Sequence, residues 1–506
     1  MVDTLTQRDD CADVIVVGAG NAALTAALAA KEQGASVTVI EKAPIKHRGG
    51  NTRFTGGLFR CTYNGIDDLR LLIGKHDEAA DILVDPYTAS DFRQDVERVT
   101  GGRADAELTE TLIDSSYATV RWMADLGVAW EFNRAVGPVR FQNSPRIRLA
   151  RGAALRAKGE GVILSSTLFR LAMENDITIL YETEAEHLIV TEDGRVCGVS
   201  VQSAKGSTSL HCRALVLASG GFQGNATLRT THLGPGWDSV KVRGTPYNTG
   251  EMTLEALSIG AASYGEWSGC HATPIDAAAP PFGDLRLTDK TNRLSYPYGV
   301  MINLDGKRFV DEGEDFNLYT YARMGREILR QREAIVFQIF DEQTYSLLEK
   351  RYNTAEPIVA HSLKALADDI ATRYHGTHFD KDCFIKTLDD YNDAIQDGSF
   401  NPSTKDGKCT KGLRPEKTNW AIRLDRPPFY AFPSSLGITF TFGGLRINRQ
   451  AAVLDRTGDS IPGLYATGEA TGGFFYGNYP GGAGLMRGAV FGKLAGTHSA
   501  IYARGA

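Results

Sequence analysis

Cysteine is scarce and scattered. The 506 residues hold seven, and no two are spaced C-x-x-C. That argues against a disulfide scaffold, a zinc ribbon or attached c-type haem, and fits a reducing cytoplasm. Long apolar runs are missing too. The longest, such as Val14–Val17 and Ala214–Ala218, fall far short of the ~20 residues that cross a bilayer, so no membrane span is expected. The opening MVDTLTQRDD has no basic n-region and no apolar h-region, so no secretory signal is expected and the location is read as cytoplasmic. Positive charge is not in excess: 55 Lys and Arg face 61 Asp and Glu, a net charge of −6. Proteins that coat nucleic acid are normally basic, so nucleic acid is not an expected partner. Repeats, low-complexity tracts and metal-ligand spacings are absent, and no metal is expected.

Glycine is plentiful. The chain has 54 in 506, about 11%, against an average near 7%. No collagen period orders them, so they mark tight turns and places where backbone approaches a ligand. The first cluster has a clear context. Residues 13–17, DVIVV, read as a buried strand; Gly18-Ala19-Gly20-Asn21-Ala22-Ala23 follows; an alanine-rich helix runs to Gln33 and ends at Gly34; Val37–Ile40 is a second strand. This is a βαβ unit carrying G-x-G-x-x-A. The first glycine permits the tight turn. The second lets a pyrophosphate reach the helix N-terminus, and the third small residue packs helix on strand. Glu41 closes the second strand and can accept both ribose hydroxyls of an adenosine, which disfavours a 2′-phosphate and hence NADP. The fingerprint occurs once, leaving no separate NAD(P)H domain. Further clusters at Gly49-Gly50-Asn51-Thr52, Gly56-Gly57, Ser219-Gly220-Gly221 and Gly481-Gly482-Ala483-Gly484 read as loops closing on one long cofactor, FAD rather than NAD.

Helical spacing predicts helices over 103–128, 160–175, 319–331, 341–350, 361–373 and 384–396. Strands are expected within 177–201, turning at Asp193-Gly194, and over 214–218. Residues 272–300 read as irregular and 398–418 as a polar loop. The expected fold class is α/β: a discontinuous Rossmann-like FAD-binding domain, residues 1–270 and 411–506, with an α+β capping or substrate domain, 271–410, inserted.

Several motifs occur in a fixed order: E-K-A, G-G-N-T, A-S-G-G-F, G-K-R-F-V-D-E, P-G-L-Y-A-T-G-E and a late P-G-G. Over nearly the whole chain they resemble the flavoprotein family of succinate dehydrogenase and fumarate reductase, which includes 3-ketosteroid Δ1-dehydrogenase and tricarballylate dehydrogenase. R-G-G-N-T-R-F-T-G-G, D-E-G-E-D-F-N-L-Y-T-Y-A and Y-P-G-G-A-G are most similar to the tricarballylate branch. The resemblance implies a mobile cap with the isoalloxazine at the domain interface. It implies that Gly18, Gly20 and Glu41, with Asn21, Ala22 and Lys42, hold the ADP half of FAD, and that Gly50, Asn51, Thr52, Gly56 and Gly57 lie along pyrophosphate and flavin. Ala185 matches the adenine-side backbone contact. Ser219, Gly220 and Gly221, with Asn225, match the A-T-G-G element. Gly468 and Glu469 meet the ribityl chain, and Gly482, Gly484 and Leu485 the pyrimidine edge. Membrane-bound members attach FAD to a histidine where this chain has Gly50 or Asn51, and His47 is too far upstream, so the FAD is expected to be non-covalent.

The chemical centre departs from fumarate reductase. His271, in G-C-H-A-T-P, matches a substrate-binding histidine, though a loop histidine with satisfied partners reads the same. Arg293 stands near the spacing of a proton-relay arginine, with Asp289 as relay acid, or is a surface arginine. The acid-catalyst arginine is replaced by Asn317–Tyr321, the late substrate arginine by Tyr479, and the histidine of H-T-M-G-G is absent from Thr439–Gly444. A tyrosine after R-F-V-x-E resembles the ketosteroid branch, where tyrosine is the base. Tyr319 and Tyr321 are therefore catalytic candidates; packing on an amphipathic helix is the alternative. Nearby cations that lower a tyrosine from ~10 let it take a proton near neutral pH. Arg53, with Arg60, Arg146, Arg148 and Arg151, supplies cations for an anionic substrate or forms a solvated face. The expected activity is FAD-dependent dehydrogenation of a CH–CH bond beside a carboxylate or carbonyl. The alternatives are a ketone-activated alkene dehydrogenase or reductase, and a non-catalytic flavin-binding protein. The chain has no haem motif and no cysteine cluster. Reduced flavin therefore needs an external acceptor: a redox protein, a quinone or dioxygen. The tricarballylate branch implies a membrane-associated one.

Overall fold

The strand Ala12–Val17, helix Asn21–Glu32 and strand Val37–Ile40 form the expected βαβ unit. A computed structural model describes residues 11–74, 81–135, 139–140 and 146–505; the opening decapeptide lies outside the described residues. The strands pair in parallel, Val14 with Val37 and Val17 with Ile40. Their side chains are buried on both faces, which is why they read as continuous Val/Ile runs rather than an alternation.

The sheet runs in the order 184–190, 196–203, 206–217, 12–17, 37–40, 178–180. Gly206–Leu217 does two jobs. Its first half is antiparallel to Val196–Ser203, and its second half is parallel to Ala12–Val17, with Val14 beside Ala214. Ser460–Ala466 also joins that second half in parallel. Five parallel strands thus end at one edge, and Gly18, Glu41, Ser219 and Gly468 follow four of them. In open α/β sheets ligands bind outside these carboxyl ends.

The helix Ala483–Gly505 lies on Asn21–Glu32. Gly488, Gly492 and Gly496 repeat every four residues and form one stripe along it. A Cβ at Gly492 would fall 2.6 Å from the Ala22 carbonyl oxygen, and one at Gly496 would overlap that of Ala26. The stripe lets two backbones touch and brings both helix N-termini to the same edge of the sheet.

A second sheet is built on Phe429–Thr441, with Lys241–Val242 parallel to it and Cys270–Asp276, Val336–Asp341 and Ile358–Ala360 antiparallel; Val300–Asn303 extends it. Its strands come from within 271–410 and from either side of that segment. Two sequence expectations change here. Residues 272–276, read as irregular, belong to the strand Cys270–Asp276, which is buried on both faces and so shows no period of two. The helix expected over 341–350 contracts to Glu342–Tyr345. The mixed α/β architecture is the expected one, and no helix among the described residues is long and apolar enough to cross a membrane.

Candidate active site

A cleft of about 1640 Å³, partly open to solvent, runs from the fingerprint to the second sheet. At its first end Gly18 has φ 105°, and a Cβ there would overlap the Ala218 carbonyl oxygen, so the turn requires glycine. Gly20 is different. Its φ is ordinary, −78°, and an added Cβ would come no closer than 3.6 Å to protein. The protein leaves the space in front of this helix N-terminus clear. The Asn21 amide N–H donates to Thr52 Oγ1 at 2.8 Å, and Asn21 Nδ2 donates to the Leu485 carbonyl at 3.0 Å, tying the first helix to the last. Glu41 is buried and accepts from the Ala43 N–H at 2.8 Å; burial pushes its pKa up, opposed by the N–H groups of Ala43, Gly49 and Ala19.

Midway, Glu469 is enclosed by donors: Gln223 Nε2 at 2.8 Å, the Gly221 N–H at 3.2 Å, Asn248 Nδ2 at 3.2 Å and Asn51 Nδ2 at 3.4 Å. Burial raises its pKa, opposed by Gln223 and the Arg487 charge. Asn51 also donates to the Thr439 carbonyl at 2.6 Å and accepts from the Thr245 N–H at 3.0 Å, so it joins the fingerprint side to the second sheet. Asn21 Oδ1 and Ser219 Oγ are buried without a partner among the described residues. Buried polar atoms are rarely left so, and each costs about 1–3 kcal/mol until it is satisfied. Two open helix N-termini, an unobstructed Gly20 and these orphaned atoms fit the phosphates and ribityl hydroxyls of FAD.

The far end is aromatic and cationic. His271 pairs with Phe440 across the second sheet, and a bulge follows it that re-aims the side chain. The ring of His271 stands edge-on to Tyr321 at 4.9 Å and to Tyr479 at 5.1 Å, with Phe440 at 5.2 Å. The Tyr321 and Tyr479 hydroxyls are hydrogen-bonded to each other. Neither nitrogen of His271 has a partner among the described residues. Burial, reinforced by Arg243, pushes its pKa well below the usual range, so the imidazole is neutral. Burial raises Tyr321, while Tyr479 and the Arg243 charge pull it back; Tyr479 is driven further up by burial and by Tyr321. Arg243 and Arg351 line this end, and Arg351 pairs with Asp289 at 3.0 Å.

Of the expected cofactor residues, all but Gly57, Gly221 and Asn225 line this cleft. Gly57 packs against Glu160, Gly221 donates to Glu469 from behind, and Asn225 caps the helix Ala226–Leu233. His271, Tyr321 and Tyr479 come together. Tyr319 does not join them: its hydroxyl donates to Asp95 at 2.9 Å, and its ring lies under Arg98. Arg293 is also elsewhere, fully buried as a clamp between Asp276, at 2.6 Å, and the carbonyls of Asn292 and Arg351. Arg53 folds back on its own loop through the Lys46 carbonyl. Arg60 is buried on Asp95 and Tyr87; Arg148 pairs with Asp85, and Arg146 and Arg151 are exposed. The burial that raises Tyr321 replaces the lowered tyrosine expected from cations. Arg243 and Arg351 escaped notice because neither sits in a repeated motif. Arg243, directly before Gly244-Thr245-Pro246, has the only usable signal, a cation at a glycine-proline turn.

A family model described as FAD binding domain matches residues 13–485. A probable fumarate reductase, Ifc3, of Shewanella frigidimarina is 28% identical over 497 residues, covering 97% of this chain and 75% of its own. A vinyl phenol reductase of Lactiplantibacillus plantarum is 28% identical over 537 residues, covering 98% of this chain and 97% of its own. Among solved structures, the open conformation of a flavocytochrome c3 fumarate reductase superposes with a TM-score of 0.72 at 25% identity, over 98% of this chain and 79% of that one.

Proposed function

The chain belongs to the FAD binding domain family, alongside the fumarate reductase and succinate dehydrogenase flavoproteins; from that premise we propose that it moves hydrogen between FAD and a carbon–carbon bond activated by a carbonyl or carboxylate, with Tyr321 as the proton-handling hydroxyl. It is an FAD-dependent oxidoreductase acting on CH–CH groups. The observation that carries the finer reading is the buried Tyr321–Tyr479 pair, edge-on to an imidazole with no hydrogen-bond partner among the described residues. When bound, FAD supplies the hydride acceptor or donor.

The rest falls to the chain. The hydrogen bond shared by the two hydroxyls pulls Tyr321 down and pushes Tyr479 up, and Arg243 lends positive charge, which favours Tyr321 as the proton-handling partner. In its protonated form Tyr321 gives a proton to carbon during reduction; its phenolate takes one during dehydrogenation. Neutral His271 keeps one N–H to donate to the activating oxygen. Phe440 and Leu318 keep the end apolar. Residues 271–410 with their flanking strands act as the cap. Relatives named for reducing fumarate and vinyl phenol support the reductive direction.

A second reading, dehydrogenation of a tricarballylate-like polycarboxylate, is favoured by the two guanidinium groups at this end. Both readings are tested by adding saturated and unsaturated cyclic ketones and tricarboxylates to the oxidised and the reduced holoprotein, and following the visible flavin band. Bleaching or recovery with ketones supports the first reading, and with tricarboxylates the second. No response to any activated compound leaves a non-catalytic flavoprotein.

A further inference from the structure

We infer that Arg243 anchors a single substrate carboxylate and that this end of the cleft is built for a monoanion rather than a di- or tricarboxylate. The inference rests on the reading that substrate reacts beside Tyr321 and His271.

The placement of Arg243 follows from the second sheet. It succeeds the strand Lys241–Val242, and its N–H continues the pairing by donating to the Ile438 carbonyl at 2.8 Å. Its side chain is 8% exposed. Nε donates to Thr439 Oγ1 and Nη1 to the Phe54 carbonyl, both at 3.1 Å. These neutral partners take Nε and one hydrogen of Nη1. Nη2 has no hydrogen bond, and no carboxylate lies within ion-pair distance among the described residues.

Other buried arginines are compensated. Arg60 has Asp95, Arg293 has Asp276 and Arg308 has Glu312. Arg229 closes on three backbone carbonyls, and Arg487 lies among phenylalanine rings with Glu469 as counter-charge. Arg243 feels the Asp289 charge but makes no ion pair with it, and it lines the cleft beside His271. A buried charge left unpaired is costly, so the missing partner is an anion brought by the ligand. The count of charges sets how many. Arg351 is matched by Asp289 at 3.0 Å and backed by Glu349 at 3.8 Å, and His271 is neutral. Of the two guanidinium groups at this end, only Arg243 makes no ion pair among the described residues. One carboxylate neutralises it, forking onto the free edge; a second would face Asp289 and the aromatic wall.

The test uses three four-carbon probes: crotonate with one carboxylate, crotonamide with none, fumarate with two. Each is titrated into the holoprotein and read by the difference spectrum of bound flavin. The expected order is crotonate about tenfold or more tighter than crotonamide and at least as tight as fumarate. Arg243→Met should weaken crotonate about 30-fold or more and leave crotonamide within about twofold. Should Arg243→Met lose FAD, Arg243→Lys serves, with an expected loss of about tenfold for crotonate alone. Crotonate and crotonamide binding alike, fumarate binding about tenfold tighter than crotonate, or a variant that weakens all three equally would each overturn the anchor. Tight crotonate binding without proton or hydride transfer on the reduced holoprotein would instead overturn the catalytic reading and support the anchor. A wild type that binds none of the three overturns both.

Discussion

Tyr321 and Tyr319 are two residues apart on the helix Asn317–Leu329, which turns them about 200° from each other. Only one can face the cleft, and it is Tyr321. Tyr321→Phe should therefore slow substrate-dependent reduction or reoxidation of the flavin by about 10²–10⁴, with FAD still bound. Tyr319→Phe, which loses a bond to Asp95, should change that rate only a few-fold; stopped-flow absorbance compares them. The pH dependence has a sign. Burial holds Tyr321 above its ordinary value of ~10, so its phenolate fraction rises tenfold per pH unit up to that pKa. Dehydrogenation kcat/KM should climb with unit slope from about pH 6 to 10, while reduction, served by the protonated form, stays flat and falls only above it. A dehydrogenation plateau near pH 7 would assign the base to another group. Both tyrosines were legible as candidates from the sequence, but the choice between them depended on helix phase against a cleft not yet known. Arg243 was illegible for another reason: its importance lies in what it does not touch.

At the element scale, the two fingerprint glycines separate folding from binding. Gly18→Ala puts a Cβ against the Ala218 carbonyl at positive φ, and should lower the apoprotein's stability by about 1–3 kcal/mol. Gly20→Ala meets nothing closer than 3.6 Å and should keep the apoprotein's melting temperature while weakening FAD; Gly20→Val should abolish binding. Scanning calorimetry on both apoproteins, with flavin content measured alongside, checks the pair. Full FAD occupancy in Gly20→Val would remove the pyrophosphate from this helix end. The βαβ unit was readable because turn, helix start and acid all fall within one short window. The strands Cys270–Asp276 and Phe429–Thr441 were not, since burial on both faces erases the alternation that betrays a strand.

For the whole molecule, the electron route begins at the FAD assigned to the dinucleotide fingerprint. Anaerobic mixing of oxidised holoprotein with substrate should reduce one flavin per chain and then stall until a quinone, dioxygen or a redox protein is added. Repeated turnover on NAD⁺ alone would reveal a nicotinamide site within the second sheet's part of the chain. The flavin should also leave the protein on acid precipitation, since His47 is exposed and away from the cleft. Family and cofactor were legible at this scale from motif order alone. The interlacing of the two sheets was not, because strand partners lie hundreds of residues apart.

The packing of Ala483–Gly505 on Asn21–Glu32 also sets a schedule. The Asn21–Leu485 bond joins residues 464 apart. A ribosome adding about 5–20 residues per second needs roughly 20–90 s to travel that distance. Throughout that time the fingerprint is already made but lacks its second wall, and the alanine face that meets the glycine stripe, Ala22 and Ala26, has nothing to cover it. The cofactor site is therefore complete only after the last helix has been made, which places cofactor capture late in the life of each nascent chain.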